Sequence, residues 1–183
     1  MNMKYAMTEH PSPVSDADLP TTFGLHTGFS LYLTRQRKDN GRTKLDEIFS
    51  NVERIGRELA PDGDYELSLA GHSLGGALAT ITGFYAAAAA ILSKVTSIRV
   101  FTYAAPRVGC QKWRLLFQHL ERTRRLRLAR FSNAGDLVPL VPFWRYKHVG
   151  VHIRLHGIGK STQLWLRLKV TLGLSRVGKS VVS

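Results

Sequence analysis

Cysteine is nearly absent. Cys110 is the only one in 183 residues, so no intramolecular disulfide can form and nothing marks an oxidising compartment. Acid is scarce in the second half: residues 107–183 hold 16 Lys and Arg against only Glu121 and Asp136, whereas residues 1–106 hold 10 against 11. The N-terminus, MNMKYAMTEHPSPVSDADLP, has no continuous apolar run of the kind a secretory signal needs, and an intracellular location is the expectation. No RNP, zinc-finger or helix-turn-helix pattern accompanies the positive charge, so nucleic acid is not expected as a partner. No cofactor or metal motif is visible.

What is present reads as one globular domain. The hydrophobic share of 44% and charged share of 21% suit a packed core rather than a disordered chain. Met1 to Thr22, with Pro11, Pro13 and Pro20, reads as an irregular leader. Gly24 to Leu33 turns into a short apolar segment. Thr43 to Leu59 is amphipathic, with Leu45, Ile48, Phe49, Val52, Ile55 and Leu59 at spacings of three and four, and Pro61, Asp62 and Gly63 end it.

The sharpest local signal is LSLAGHSLGG, Leu67 to Gly76. Glu66 to Ala70 alternates like a strand, and Gly76 to Leu92 is a proline-free run rich in alanine and leucine. Between them Gly71, Ser73 and Gly75 form G-x-S-x-G. A strand, a sharp turn and a helix in that order build a nucleophile elbow, with the serine Oγ raised above the sheet. The apolar run is close to membrane-spanning length. It starts at the elbow and carries Thr80, Thr82 and Gly83, which suits a helix packed closely on a sheet instead.

Ile98 to Ala104 reads as a buried strand, Gln111 to Leu120 as a helix, and Leu126 to Phe131 as a strand closing on Asn133, Gly135 and Asp136. Val149, Val151, Ile153 and Leu155 alternate as a further strand. The predicted fold class is α/β, a mainly parallel sheet with helices on both faces. In the C-terminal segment, 161–183, Leu164 to Leu174 alternates with basic residues and fits either a strand or a basic interfacial helix.

A serine at an elbow needs an acid and a base downstream, in the order Ser, Asp or Glu, His. Asp136 follows a predicted strand, where open parallel sheets bind ligands. By itself such an aspartate is more often a turn residue. Ser73 upstream makes it the candidate acid.

Several blocks together resemble the class 3, or fungal-type, lipases. LHTGF at residues 25–29 is similar to their V-H-x-G-F element, with Tyr32 following. LAGHSLGGALA carries the elbow, YAAPRVG at 103–109 is similar to F-G-x-P-R-V-G, and NAGDLVPLVP at 133–142 is similar to their aspartate loop. YKHVGV at 146–151 matches a further block. The resemblance covers about residues 25–155, so 23–160 is expected to form a partial α/β-hydrolase-like domain. It implies hydrolysis of acylglycerol-type lipid esters through an acyl-serine on Ser73, with Asp136 orienting a histidine and the backbone N–H of Leu74 holding the oxyanion.

Two expected parts are missing from the pattern. No R-G-T-like strand, the family's source of a second oxyanion donor, precedes LHTGF. No C-terminal histidine block follows Asp136, so the chain is expected to lack N-terminal strands and a C-terminal block. Of the later histidines, His148 belongs to the Y-x-H-V-G block, where the resemblance points to structure, and His152 and His156 are expected to face solvent. His72 and His26 are poorly placed, and no catalytic histidine is assigned. The alternative is a catalytically impaired module that binds an anionic membrane or lipid-droplet surface through its basic half, with Arg122, Arg124, Arg125, Arg127 and Arg130 as the densest patch.

Overall fold

The computed structural model describes residues 6–88, 92–155 and 169–171. Its centre is a five-stranded sheet ordered β3–β4–β5–β6–β7: Tyr65–His72, Val95–Tyr103, Leu126–Asn133, Val151–Leu155 and Lys169–Thr171. The first four strands run parallel and β7 is antiparallel to β6. The helices are α1 (Thr27–Thr34), α2 (Lys44–Leu59), α3 (Leu74–Ala88) and α4 (Gln111–Arg122). Of the open question at the C-terminus, Lys169–Thr171 is strand, and the remainder of 161–183 lies outside the described residues.

The residues expected to form an irregular leader contain a strand. β1 (Met7–Pro11) pairs antiparallel with β2 (Thr22–His26), in register from Met7 against His26 to Pro11 against Thr22. β1 carries little apolar character, so no alternation announces it. It is held by the backbone ladder, by Thr22 Oγ1 donating to Glu9 Oε1 at 2.7 Å, and by Tyr146 O–H donating to the Ala6 carbonyl at 2.9 Å. Pro11 sits at the strand's end and Pro13 and Pro20 in the connecting loop, where a missing N–H costs nothing.

α3 explains its own composition. Eleven of its residues are buried, among them Ala77, Ile81, Phe84 and Ala87. Small side chains bring its axis close to the strands: a Cβ on Gly83 would lie 2.5 Å from a methyl of Val100. Phe84 anchors an aromatic cluster with Phe23, Trp113 and Phe117 at centroid distances of 5.3, 5.9 and 6.3 Å, which ties β2, α3 and α4 into one core. The apolar run is thus a core helix, and among the described residues no helix is long and apolar enough to cross a membrane.

The α/β class with a mainly parallel sheet is as expected from the sequence; among the described residues the helices pack on the face of Leu69, Val100, Leu126 and Leu128. On the opposite face the rings of Tyr103 and Phe131 stack at 5.1 Å, and Tyr103 is 46% exposed. Among the described residues β3 is also a sheet edge.

Candidate active site

The turn from β3 into α3 has the strained geometry its sequence implies. Ser73 has φ +50°, a left-handed conformation that non-glycine residues adopt at a cost of about 1–3 kcal/mol. It is held there by backbone bonds on both sides: Ser73 N–H donates to the Tyr103 carbonyl at 2.9 Å, and the Ser73 carbonyl accepts from Gly76 and Ala77 at 3.0 and 3.2 Å. The serine therefore stands at the C-terminal edge of the parallel sheet and at the mouth of a helix.

Only one of the pentapeptide's two glycines, Gly71, is required by this turn, and the second required glycine, Gly76, lies just outside it. A Cβ on Gly71 would lie 2.2 Å from the Gly75 carbonyl oxygen, and one on Gly76 would lie 2.7 Å from the Ala105 methyl. At Gly75 an added Cβ meets nothing within 4 Å. Gly76, read from sequence only as the start of a helix, is a packing requirement of the elbow.

Leu74 and Gly75 open α3, ahead of the first intrahelical bonds made by the N–H groups of Gly76 and Ala77. Their own N–H groups lie at the positive end of a 15-residue helix. A developing negative charge beside Ser73 would meet that end.

Asp136 follows β5 at the same edge of the sheet, two strands from Ser73. Gly135 before it has φ +87°, and the carboxylate Oδ1 accepts from Val138 N–H at 3.0 Å. The loop beyond is clamped from below. Arg107 donates through Nη1 to the Leu140 and Pro142 carbonyls and through its backbone N–H to the Val141 carbonyl, while His148 Nε2 donates to the Pro139 carbonyl at 2.6 Å. Four successive carbonyls after Asp136 are thus held by two residues from the PRVG and KHVG blocks. Nothing in the sequence of either block signals this role.

No histidine completes the arrangement among the described residues. His148 is spent on Pro139. Burial first, and then the charges of Arg130 and Arg107, push its pKa down to about 3, so it stays neutral. His152, expected to face solvent, instead turns to the helix-covered face, where its Nε2 lies 2.7 Å from Ser132 Oγ; burial lowers its pKa. The strand alternation was right and the face was wrong, because Ser132 and Arg130 make that face of β5 polar enough to hold an imidazole. His26 is buried and stacked on Phe29 at 4.2 Å, and His72 is exposed at the end of β3. His156 lies outside the described residues.

Around this edge is a rim of exposed apolar side chains: Leu74 (52%), Leu137 (71%), Leu140 and Phe143 (50%), with Tyr103 beside them.

Residues 4–146 match the family described as Lipase (class 3). The chain is 31% identical over 138 residues to an Arabidopsis thaliana phospholipase A1-IIgamma, covering 69% of this chain and 31% of that protein. In structure it resembles a Rhizomucor miehei triacylglyceride lipase, with a TM-score of 0.59, 22% identity, and coverage of 82% of this chain and 49% of the other. It also resembles a triacylglycerol lipase whose catalytic centre is described as a serine protease triad, with a TM-score of 0.55, 19% identity, and coverage of 84% and 51%. The chain spans about a third of the length of the phospholipase relative and about half of these solved lipases.

Proposed function

The chain belongs to the class 3 lipase family, and from that premise we propose that it carries the nucleophile half of a lipid carboxylic-ester hydrolase acting on acylglycerol-type substrates. The observation that carries the reading is Ser73 at φ +50° between a parallel strand and a buried helix. Ser73 Oγ gives its proton to a base and attacks the ester carbonyl, and the N–H of Leu74 at the head of α3 binds the oxyanion; collapse breaks the ester C–O bond, the alcohol leaves with that proton, and water then cleaves the acyl-serine to release the fatty acid and restore the hydroxyl. Asp136, presented at the same sheet edge by its clamped loop, orients an imidazole. The exposed Leu74, Leu137, Leu140 and Phe143 suit acyl chains. The relatives' names divide between phospholipase A1 and triacylglycerol lipase, so the bond in question is an acyl ester of a glycerolipid.

The base is proposed to come from outside the described residues, since His148 and His152 are committed elsewhere. This makes a specific test. A fluorophosphonate probe should label Ser73 slowly, Ser73→Ala should abolish the labelling, and added imidazole should accelerate it in proportion to its concentration by standing in for the missing ring. A folded sample that shows no Ser73-dependent labelling at any imidazole concentration would overturn the assignment.

The alternative of an anionic-surface module draws on Arg122, Arg124, Arg125 and Arg127, which are all exposed. They lie at the turn between α4 and β5, the end of the sheet opposite Ser73 and Asp136. A lipid surface bound there would face away from the elbow, so the geometry favours the hydrolase reading. Arg130 does not belong to this patch. As an even-numbered residue of β5 it shares the inward face of Leu126 and Leu128.

A further inference from the structure

The geometry points to a binding site for a single monatomic anion of the chloride class, in the small cavity that Thr102, Trp113, Arg130 and His148 line between the sheet and α4. The cavity has a volume of about 10 Å³, room for one water-sized particle. Three of the chain's buried polar atoms without a protein partner belong to residues of its wall: Trp113 Nε1, Arg130 Nε and Thr102 Oγ1. Two are obligate donors and the third can donate. Buried donors left unmatched cost about 1–3 kcal/mol each, so a common acceptor is strongly favoured. Thr80, also in the wall, spends its hydroxyl on the Gly76 carbonyl at 2.7 Å.

Charge selects an anion over water. Arg130 is largely buried and lies close enough to Arg107 for the two guanidinium groups to repel, and Lys147 borders the same cavity. No ion pair involves Arg107, Arg130 or Lys147 among the described residues. The undescribed segments cannot supply an acidic side chain, because all 13 Asp and Glu of the chain fall within the described residues. A largely buried guanidinium with no ion-pair partner among the described residues is the uncompensated case, in which a bound counter-ion offsets a large desolvation cost. The field is already felt next door: Arg130 and Arg107 both push the His148 pKa downward. The volume excludes phosphate or a carboxylate ligand.

The inference is independent of the hydrolase reading, since it concerns the helix-covered side of the sheet rather than the Ser73 edge. Thermal unfolding of the full chain in sodium chloride, compared with sodium gluconate at matched ionic strength, is expected to give a Tm that rises with chloride and saturates, by linkage of binding to the folded state. Crystals soaked in bromide should show one anomalous peak within hydrogen-bond reach of Trp113 Nε1 and Arg130 Nε. Thr102→Val, which keeps shape and removes one donor, should weaken the chloride-dependent rise. Trp113→Phe should weaken it further, and chloride quadrupolar NMR on the unmutated chain reads the same binding with no variant needed. Equal Tm in both salts with no chloride line broadening, or water alone in the cavity with no bromide peak, would overturn the site. A chloride effect untouched by Thr102→Val would overturn its location.

Discussion

A methyl group added at Gly71 would press to 2.2 Å against the Gly75 carbonyl oxygen, which is backbone and cannot rotate away. The same methyl at Gly75 points into open space, and Gly75 carries no positive φ. Gly71→Ala is therefore expected to destabilise the chain by about 1–3 kcal/mol through overpacking, and to displace Ser73 with it. Gly75→Ala should be neutral, or stabilising by up to about 1 kcal/mol, since it replaces glycine within a helix. Urea denaturation of the two variants decides the matter: equal losses at both positions would show that the pentapeptide's symmetry, rather than the contact geometry, governs the turn.

At the scale of elements, the junction of α4 with β5 sets a pH dependence. Burial raises the Glu121 pKa to about 7, against the opposing effect of a hydrogen bond from the Leu128 N–H. The folded state then holds a proton that the unfolded state releases near 4.5, so this group's contribution to stability is present below about pH 4.5 and is lost as pH rises toward 7. His148 works the other way. With a folded pKa of about 3 against 6.5 unfolded, its contribution is present above pH 6.5 and lost as pH falls toward 3. Between pH 4.5 and 6.5 the two oppose one another. Glu121→Gln should therefore stabilise the chain above pH 7 and leave it nearly unchanged at pH 4. The gain is about 1–2 kcal/mol after allowing for Glu121's partial solvent contact. Denaturation at the two pH values measures it, and an equal gain at both would mean that packing rather than protonation is responsible. None of this was legible in the sequence, because burial of Glu121 depends on how α4 meets β5 in space. The elements themselves were largely legible. α2, α4, β4, β5 and the elbow announce themselves through period and punctuation, and Thr43 caps α2 with Asp46 in the reciprocal pattern that T-x-x-D encodes. β1 was not, because a polar strand held by its backbone ladder leaves no hydrophobic trace. The clamp by Arg107 and His148 was not, because it joins side chains to carbonyls more than thirty and nine residues away.

For the whole molecule, the strand that leads into Ser73 is a sheet edge with one face uncovered among the described residues. Ser73 N–H bonds to Tyr103 on β4, so alternation along β3 directs the N–H groups of Leu69 and Gly71 toward β4 and those of Ser68 and Ala70 toward the open edge. Ala70 also lies on the exposed face, beside Phe101, one same-face position before His72, which is in register with the stacked Tyr103 and Phe131. An edge of this kind is a pairing template that proteins ordinarily cover. Two consequences separate by hydrogen exchange. In this chain the amides of Ser68 and Ala70 should exchange quickly while Leu69, Gly71 and the β4 and β5 amides at Val100 and Leu128 exchange slowly, giving an alternating record along one strand. Uniform protection of Ser68 through Gly71 would mean that the edge is already paired, either by residues outside those described or by a second copy of the chain. The two cases differ in whether protection depends on protein concentration. Alternation would show that the elbow is built by local contacts from β3, β4 and α3 alone and stands without a strand paired to the outer side of β3.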